Sequence, residues 1–550
     1  MKRLFILSLI VFVGTILVNA QQEEVDLLEK EINSVALKTY NACVKILSFD
    51  TETKQIEPGG FSGVVVSKEG HVLTAAHAVD IDKTYIISFP NGMKVLTETL
   101  GKIDVEKPGN VKYDLAMLKI AQKGDWAYAE MGWSNSLNVN DIVIGISYTG
   151  NLNQDLPTLR FGRISQVAAG EEQIISTCKM EPGDSGGPLF DRYGRVIAVH
   201  SSVLRDINYN IENPIDLYRK YWDALNVHAN YDDLPEVTNE IGTDTLFNSL
   251  SQTQTSSNES DMSITLKAGT SVNISSIVQG RKTNIIGTVF LTESSTFIVS
   301  KSSMVGSNPE VIHQDISLIL DVKKRDPDND LVLLKLAGKL KNGIQLSSIK
   351  EEPKNLDMHT LGKIMVTALP NEGKIGVLGS KYLSLPRLFS SGAISLDVKE
   401  EDYKLLIRKI VQNSTVAKAG LLEGDQIISI NDKEMNTIED IREEIILHDP
   451  GDEVEFGFLR EDNKLSAKVV LTPRPISSHS GEQFAGGRSI RSDGFQKVFV
   501  HDAEILASQC GSPVFDIHGD FYGINISRFS RATTLVMPAD IVLDFIKPYL

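Results

Sequence analysis

One histidine, one aspartate and one serine stand in sequence contexts suited to nucleophilic catalysis. His77 follows the apolar run HVLTAA, Asp114 opens the run DLAMLKIA, and Ser185 lies in the glycine-rich turn GDSGGP. A serine hydroxyl attacks a carbonyl effectively when an imidazole takes its proton and a carboxylate orients that imidazole. The three residues follow one another at intervals of 37 and 71 positions. We therefore predict that they meet in one site.

The turn around Ser185 also offers donors for the negative charge that develops on an attacked carbonyl. The main-chain N–H groups of Gly183 and Ser185 are the candidates for this oxyanion hole. The elements that must position these groups are strands. GVVVSKEGHVLT predicts a β-hairpin that leads to His77, and KYDLAMLKIA predicts a strand that carries Asp114.

The motifs TAAHAV, YDLAMLK and GDSGGPLF resemble those of trypsin-fold serine proteases, in particular the HtrA/Deg-like branch. The resemblance spans residues 30–225 and implies two six-stranded antiparallel β-barrels with the site in the cleft between them. It also implies that His77 is the general base, Asp114 the orienting acid and Ser185 the nucleophile. The expected fold is therefore mostly β, and the expected reaction is hydrolysis of peptide bonds.

The chain repeats these motifs in a degenerate form. GTVFLTESSTFIVSKSSMV, DNDLVLLKLA and SQCGSPVF correspond in order to the three catalytic motifs, and they predict a second trypsin-like domain in two parts, residues 263–380 and 475–550. Asp330 is retained, but Ser303 replaces the histidine and Cys510 replaces the nucleophile. A thiol without a base is only a few per cent thiolate near neutral pH, so we predict that this copy is inactive.

The three cysteines leave alternatives open. One alternative is a redox or thiol role for Cys510, and another is a displaced base, for which the copy offers three histidines: His313, His501 and His518. Cys43 and Cys178 could be bridged in an oxidising compartment, although their spacing does not establish a disulfide. With so few cysteines, disulfides do not build this fold.

A further domain is predicted inside the second copy. Asp330 and Cys510 are 180 positions apart, which is 109 more than the corresponding interval in the first copy. IVQNSTVAKAGLLEGDQIISIND resembles the central motif of PDZ domains in HtrA-like proteins, and we assign residues 381–474 to such a domain. Within it, TIEDIREEIIL predicts an amphipathic helix capped by Thr437, and the following GDEVEFGFLRED and KLSAKVVLTPRP predict a hairpin.

PDZ domains bind an extended peptide as an added strand beside their own edge strand. The expected edge starts near Gly392, Ala393 and Ile394, in the segment SSGAISLDV. We expect C-terminal peptides as ligands there. The alternative is that this domain is a structural spacer.

Two residues near Ser185 in the sequence bear on substrate choice. His200 follows the serine by fifteen positions and Lys179 precedes it by six. Glutamyl endopeptidases of the same fold carry a histidine at that spacing, which contacts the substrate carboxylate. Two polar or cationic donors in one pocket would favour an acidic residue before the scissile bond. The alternative, implied by the HtrA-like resemblance, is a small apolar residue.

The ends of the predicted domains are marked by composition. Residues 1–20, with a basic start and a long apolar run, predict a secretory signal peptide cleaved near Ala20, and an uncleaved membrane anchor is the alternative. Removing Lys2 and Arg3 would leave 53 basic residues against 72 acidic ones, a balance that argues against nucleic acid as a partner. Residues 226–262 are polar and predict a linker.

Together these features favour a secreted or periplasmic serine endopeptidase that acts, by the family resemblance, on unfolded or damaged proteins. The degenerate and PDZ domains are expected to recruit or regulate. The alternative is a peptide-binding scaffold or chaperone with a latent protease domain. Protein or peptide substrates, and further copies of the chain in a homo-oligomer, are the partners considered. No metal-binding or nucleotide-binding motif occurs in the sequence, so no metal and no cofactor is expected.

Overall fold

The computed structural model describes the chain in eight stretches: residues 23–107, 111–167, 173–237, 239–244, 269–313, 316–349, 353–475 and 478–550. The predicted signal peptide lies outside these residues, as does most of the predicted linker. None of the helices in the described stretches is long and apolar enough to cross a membrane. Strands predominate, which confirms the prediction of a mostly β protein.

The chain forms two compact units. Unit 1 comprises the residues up to Leu383 together with two later stretches, Ser478–Arg488 and Lys497–Leu550, and unit 2 comprises Ser384–Ser477 and Ser489–Gln496. Unit 1 contains two similar β modules, here called the first and second modules. Unit 2 contains the segment predicted as a PDZ domain.

The first module is preceded by a helix, α1 (residues 23–39), and contains fourteen strands. These are β1 (Cys43–Asp50), β2 (Gln55–Ile56), β3 (Phe61–Val65), β4 (His71–Thr74), β5 (Thr84–Ser88), β6 (Lys94–Lys107), β7 (Val111–Ile120), β8 (Ile142–Ser147), β9 (Thr158–Gln166), β10 (Ile174–Ser176), β11 (Pro188–Phe190), β12 (Val196–Val203), β13 (Asn210–Pro214) and β14 (Ala229–Tyr231). The helices α2 (Ile215–Lys220) and α3 (Trp222–Leu225) follow β13.

Two six-stranded antiparallel rings make up the first module, as the sequence predicts. One runs in the order β6-β5-β1-β3-β4-β7 and is closed by pairing between β6 and β7, and the other is a closed barrel in the order β10-β13-β12-β11-β8-β9. The β3–β4 hairpin turns at Gly70, whose φ is +88°, and a Cβ there would lie 2.9 Å from the side chain of Ile120. Strand β14, inside the segment predicted as a linker, pairs in parallel with β6.

The second module begins with ten strands. They are β15 (Ser271–Val278), β16 (Arg281–Leu291), β17 (Thr296–Lys301), β18 (Ser307–His313), β19 (Ile316–Asp326), β20 (Leu331–Leu336), β21 (Ile344–Gln345), β22 (Ile364–Ala368), β23 (Gly373–Val377) and β24 (Leu383–Leu385). Its first ring runs β15-β18-β19-β20-β17-β16, closed by pairing between β15 and β16, and so repeats the arrangement of the first module.

Unit 2 follows, with eight strands and two helices. They are β25 (Gly392–Ala393), β26 (Leu396–Glu401), β27 (Lys404–Ile410), α4 (Thr415–Lys418), β28 (Gln426–Ile430), β29 (Lys433–Glu434), α5 (Ile438–Ile445), β30 (Glu453–Arg460), β31 (Asn463–Val470) and β32 (Thr472–Pro473). The predicted helix is confirmed: Thr437 caps α5 in a capping box with Asp440, and Ile441 and Ile445 are buried. The predicted hairpin is also confirmed, as β30 paired with β31.

The second module is completed by β33 (Phe495–His501), β34 (Pro513–Asp516), β35 (Phe521–Arg528), β36 (Thr534–Pro538) and the helix α6 (Ala539–Ile546). Its second sheet includes the order β23-β22-β34-β35-β36-β33. One hydrophobic core runs through α1 and both modules, because Leu361 and Ile364 of the second module pack into the same cluster as Ile32 and Phe190. Within unit 1, the two modules are therefore one packed structure.

Candidate active site

His77 lies three residues beyond the end of a hairpin, on a short turn. Strand β4 ends at Thr74, and residues Ala76–Ala78 form one turn of 3-10 helix. The main-chain N–H of His77 donates to Asp114 Oδ1 at 2.8 Å. This bond fixes the backbone of His77, and therefore the position from which its imidazole extends.

Asp114, on β7, is buried and orients the imidazole. Its Oδ2 lies 2.8 Å from His77 Nδ1 and accepts a second hydrogen bond from Ser201 Oγ at 2.5 Å. Burial raises the pKa of the Asp114 carboxyl, but the hydrogen bonds from His77 and Ser201 outweigh burial and hold that pKa below its usual value. The carboxylate is therefore ionised and its oxygens are occupied by donors that set the ring angle.

Ser185 completes the chain of contacts. His77 Nε2 lies 3.0 Å from Ser185 Oγ, a hydrogen-bonding distance for a general base and its nucleophile. The structure thus places all three residues predicted from the sequence together, in the order Asp114, His77, Ser185. This geometry lets the imidazole take the hydroxyl proton as the oxygen attacks.

The turn before Ser185 depends on glycine. Gly183 has a φ of +99°, and a Cβ at this position would lie 2.2 Å from the main-chain nitrogen of Gly150, so no other residue fits. Within the described residues, neither the N–H of Gly183 nor that of Ser185 donates to a protein acceptor. Both groups predicted for the oxyanion hole are therefore available to a ligand.

Comparison with known proteins assigns two parts of the chain. The family described as Trypsin-like peptidase domain matches residues 61–199, and the family described as PDZ domain matches residues 392–471. The chain carries a trypsin-like peptidase domain and a PDZ domain. This pair of domains supports the predicted HtrA-like resemblance.

Curated relatives match about a quarter to a third of the chain. A probable periplasmic serine endoprotease DegP-like of Bartonella henselae is 25% identical over 154 residues, which are 27% of this chain and 29% of that protein. A protein of the same description from Rickettsia conorii is 29% identical over 208 residues, 35% of this chain and 38% of that protein. The match thus spans less than two fifths of either relative. The crystal structure of the serine endoprotease from Yersinia pestis is 14% identical, covers 81% of this chain and 98% of its own, and has a TM-score of 0.30.

The two residues predicted to set specificity have different partners. His200 is buried, with Nδ1 2.7 Å from Glu212 Oε2, whereas Lys179 Nζ donates to the main-chain oxygen of Asp502 in the second module at 2.8 Å. The Lys179 ammonium is thus bonded to the second module, and the Glu212 carboxylate lies directly beside His200. The preference for an acidic residue before the scissile bond stays a prediction.

Several functional neighbours of the triad were not predicted. Ser201 and Asn213 both contact Asp114, the first at its carboxylate and the second at its carbonyl oxygen, to which Asn213 Nδ2 donates at 2.7 Å. Polar residues at the end of the apolar strand VIAVHSS were the available signal for Ser201. Asn213 offered no comparable signal, because its contact joins residues 99 positions apart.

In the second module, the counterpart of the triad is a buried ion pair. Asp330 accepts from the N–H and the hydroxyl of Ser303, at 2.7 and 2.8 Å, much as Asp114 accepts from the N–H and ring of His77. Its other partner is the buried Lys301, whose Nζ lies 2.6 Å from Asp330 Oδ2 and also donates to the carbonyl of Ile526 at 2.9 Å. The carboxylate is thus satisfied by an ammonium and a hydroxyl.

Cys510 lies in the core of that module. Its side chain is fully buried in an apolar cluster that includes Ile505 and Val289. Both ring nitrogens of His501 are engaged elsewhere, Nε2 with Asn525 Oδ1 at 2.7 Å and Nδ1 with the N–H of Ala503 at 3.1 Å. The imidazole of His501 is therefore held by structural contacts.

The other two cysteines are free thiols in the structure. Cys43 and Cys178 are both buried, and they belong to different apolar clusters. Burial raises the pKa of each thiol well above its usual value. Both side chains therefore act as small apolar groups in the core.

The predicted PDZ edge, which starts near Gly392, Ala393 and Ile394, stays a prediction. Gly392 and Ala393 form β25, which pairs with Thr472–Pro473. The main sheet of unit 2 has the order β26-β27-β28-β30-β31 and ends at β26, which begins at Leu396. Ile394 lies between the two strands and packs against the core of unit 2. Strand β26 begins two positions after Ile394 and lies at one end of this sheet.

Proposed function

We propose that this chain is a serine endopeptidase that hydrolyses peptide bonds of unfolded or damaged proteins in the periplasm or outside the cell. The observation that carries the proposal is the continuous path from Asp114 Oδ2 to His77 Nδ1 and from His77 Nε2 to Ser185 Oγ, at 2.8 and 3.0 Å. The match to the trypsin-like peptidase domain supports the reaction, and the similarity to probable periplasmic DegP-like endoproteases supports the compartment.

In the first half of the reaction, Ser185 Oγ attacks the carbonyl carbon of the scissile bond while His77 Nε2 takes the hydroxyl proton. The carbonyl oxygen becomes an oxyanion, and the N–H groups of Gly183 and Ser185 are the donors proposed to bind it. The imidazolium formed on His77 is stabilised by the Asp114 carboxylate. His77 then gives its proton to the leaving amine nitrogen, the C–N bond breaks, and an ester on Ser185 remains.

Water completes the cycle by the same steps in reverse. His77 takes a proton from water, whose oxygen attacks the ester carbonyl, and the second oxyanion occupies the same two N–H groups. When the C–O bond to Ser185 breaks, His77 returns the proton to Oγ. The products are the carboxylic acid and amine halves of the substrate, and the enzyme is regenerated with no external reagent besides water.

The PDZ domain and the second module would recruit substrate or regulate cleavage. Strand β26 is the end strand of its sheet, and an extended peptide paired with such a strand satisfies the exposed main-chain groups. C-terminal peptides are the ligand class proposed there. The second module has no general base at Ser303. We therefore propose that peptide bonds are cleaved only at the site of Ser185.

Labelling of Ser185 tests this function. Purified full-length protein is treated with a fluorophosphonate probe, which forms a covalent bond with an activated serine, and the modified peptide is identified by mass spectrometry. We expect labelling at Ser185 together with degradation of fluorescent casein. A folded protein that binds peptides but is neither labelled nor able to degrade casein would instead establish a scaffold with a latent protease domain.

A further inference from the structure

Behind Ser185 lies a buried cluster of charges. The guanidinium of Arg160, on β9, contacts Asp184 and lies 3.2 Å from Glu181 Oε1, and all three side chains are buried. Asp184 directly precedes Ser185, and its Oδ2 also accepts from the N–H of Glu181 at 2.8 Å. A buried carboxylate is stable only when it is paired and hydrogen-bonded. The cluster therefore ties residues 181–184 into one conformation.

One contact to this cluster comes from the second module. Thr533 Oγ1 donates to Glu181 Oε1 at 3.0 Å, across 352 positions of sequence, and Thr533 is buried. Oε1 is the same oxygen that faces Arg160. Burial raises the pKa of Glu181, and the neighbouring Arg160 opposes that rise. The hydroxyl of Thr533 therefore helps to satisfy a carboxylate whose position the catalytic turn depends on.

A neighbouring residue contacts the next loop of the peptidase domain. Arg531 is fully buried, and its guanidinium donates to the main-chain oxygens of Leu204 and Asp206 at 2.9 and 3.0 Å. Asn210, at the other end of that loop, accepts from the N–H of Met180 at 3.1 Å. Because Met180 adjoins Glu181, the two contacts of the second module converge on the segment leading to Ser185.

We propose that residues 529–533 of the second module, the connection between β35 and β36, form part of the active-site support of the peptidase domain. Thr533 and Arg531 are positioning residues that hold the turn presenting Gly183 and Ser185. Thr533 acts through Glu181, and hence through Arg160 and Asp184. Arg531 acts through the loop that ends at Asn210, and hence through Met180. This inference rests on the proposed peptidase function and deepens it. The second module has lost its own base, yet it supplies contacts that another active site needs.

Preorganisation explains why such remote contacts affect turnover. Oxyanion donors are effective when they already point to the place where charge develops, and a displacement of about 1 Å can cost on the order of 100-fold in rate. The Thr533 hydroxyl touches neither substrate nor Ser185. Its loss should therefore lower kcat and the rate of fluorophosphonate labelling while leaving KM for casein within about twofold.

The test compares adjacent threonines in the full-length protein. We expect Thr533→Val to lower kcat on fluorescent casein and the labelling rate by about tenfold, and Thr533→Ser, which keeps the hydroxyl, to restore both to within about threefold of the wild type. The matched control is Thr534→Val, because Thr534 Oγ1 bonds only within the second module, to Ala503 O at 3.3 Å. This control should stay within about twofold.

A second pair of variants tests the Arg531 contacts and includes a control for loss of stability. Arg531→Met removes the contacts to the peptidase domain, whereas Arg325→Met removes an arginine that bonds to main-chain oxygens of Ser302 and Val305 inside its own module. We expect a loss of 10- to 100-fold in labelling for the first and less than twofold for the second, with each melting temperature recorded. If Arg531→Met fails to fold, the threonine series decides.

The outcomes separate the two proposals. Wild-type protein without labelling or turnover would overturn the peptidase function itself. An active wild type whose Thr533→Val variant equals it would overturn the positioning role alone. Equal losses in Thr533→Val and Thr534→Val, or a Thr533→Ser variant as slow as the valine variant, would also overturn that role, since a general loss of stability would then explain the result.

Discussion

Asp114 and Asp330 occupy corresponding places in two similar modules, and their partners differ. Asp114 receives an imidazole and a serine hydroxyl, while Asp330 receives the ammonium of Lys301 and the hydroxyl of Ser303. Both carboxylates are buried and fully satisfied. The comparison teaches that the aspartate has two separable uses in this fold: it can orient a base for chemistry, or it can anchor two strands as half of an ion pair.

The largest expected effect separates the two nucleophile positions. Ser185→Ala should lower kcat by roughly 10⁴- to 10⁶-fold, because the attacking oxygen is removed while the fold is kept. Cys510→Ala, the matched change in the second module, should leave at least half of the activity, because its thiol is buried in an apolar cluster. Casein turnover by both variants measures this. Loss of activity in a folded Cys510→Ala protein would contradict the assignment of the chemistry to Ser185.

The next effect concerns the orienting role of Asp114. Asp114→Asn should lower kcat by about 10⁴-fold, since an amide can stabilise the wrong tautomer of His77 and cannot balance the imidazolium. Binding of substrate should change little, so KM serves as the internal control. A variant with near wild-type kcat would show that Ser201 and the His77 main-chain contact suffice to orient the ring.

The same substitution in the second module should act on stability. Asp330→Asn leaves the buried ammonium of Lys301 without its carboxylate, and breaking a buried ion pair costs about 3–5 kcal/mol. We expect a lower unfolding midpoint for this variant, and recovery of most of the loss in the double variant Lys301→Met, Asp330→Asn. Denaturant unfolding of the full chain measures both. A single variant as stable as the wild type would contradict the anchoring role.

The smallest expected effect depends on pH. Burial lowers the pKa of His501 to about 4, and Asn525, Asp502, Lys179 and Arg528 are the groups that surround it. Because the unfolded chain binds this proton near the ordinary pKa of about 6.5, stability from neutral His501 is present above that pH and is lost as the pH falls towards 4. The loss reaches at most about 3 kcal/mol.

His501→Gln isolates this contribution, since glutamine does not titrate and keeps a donor for Asn525. We expect the wild type to lose stability relative to the variant between pH 6.5 and 4, as followed by unfolding midpoints at several pH values. Parallel pH profiles for the two proteins would contradict the assignment. Titration of Asp114 and of other groups affects both proteins alike and cancels in the comparison.

Local sequence motifs were sufficient to predict that His77, Asp114 and Ser185 lie together in the structure. His77, Asp114 and Ser185 each stand in a short motif whose strand or turn fixes the direction of the side chain, so three local predictions combined into one site. The capped helix at Thr437 succeeded for the same reason. In each case the determining contacts lie within a few residues of the motif.

Contacts between distant segments could not be predicted from local sequence motifs. Thr533 and Glu181 are 352 positions apart, and neither residue stands in an unusual local pattern. The pairing of β25 with Thr472–Pro473 was likewise not predicted, because it joins two short segments about 80 positions apart. The ion pair of Lys301 is the contact for which the sequence did hold a signal. Lys301 stands two residues before Ser303, at the place of Ala75 in the first module, and a lysine in a buried strand needs an anionic partner.

The separation of Thr533 from Ser185 has a consequence for biosynthesis. A ribosome delivers the triad hundreds of residues before it delivers the connection between β35 and β36, and domains fold in the order in which they emerge. If the support described above is required, the newly made peptidase domain holds its triad without full activity until the last fifty residues of the chain have folded against it. Cleavage by such a chain would reach its full rate only after residues 529–533 have been synthesised and have folded, and a product truncated before them would cleave more slowly.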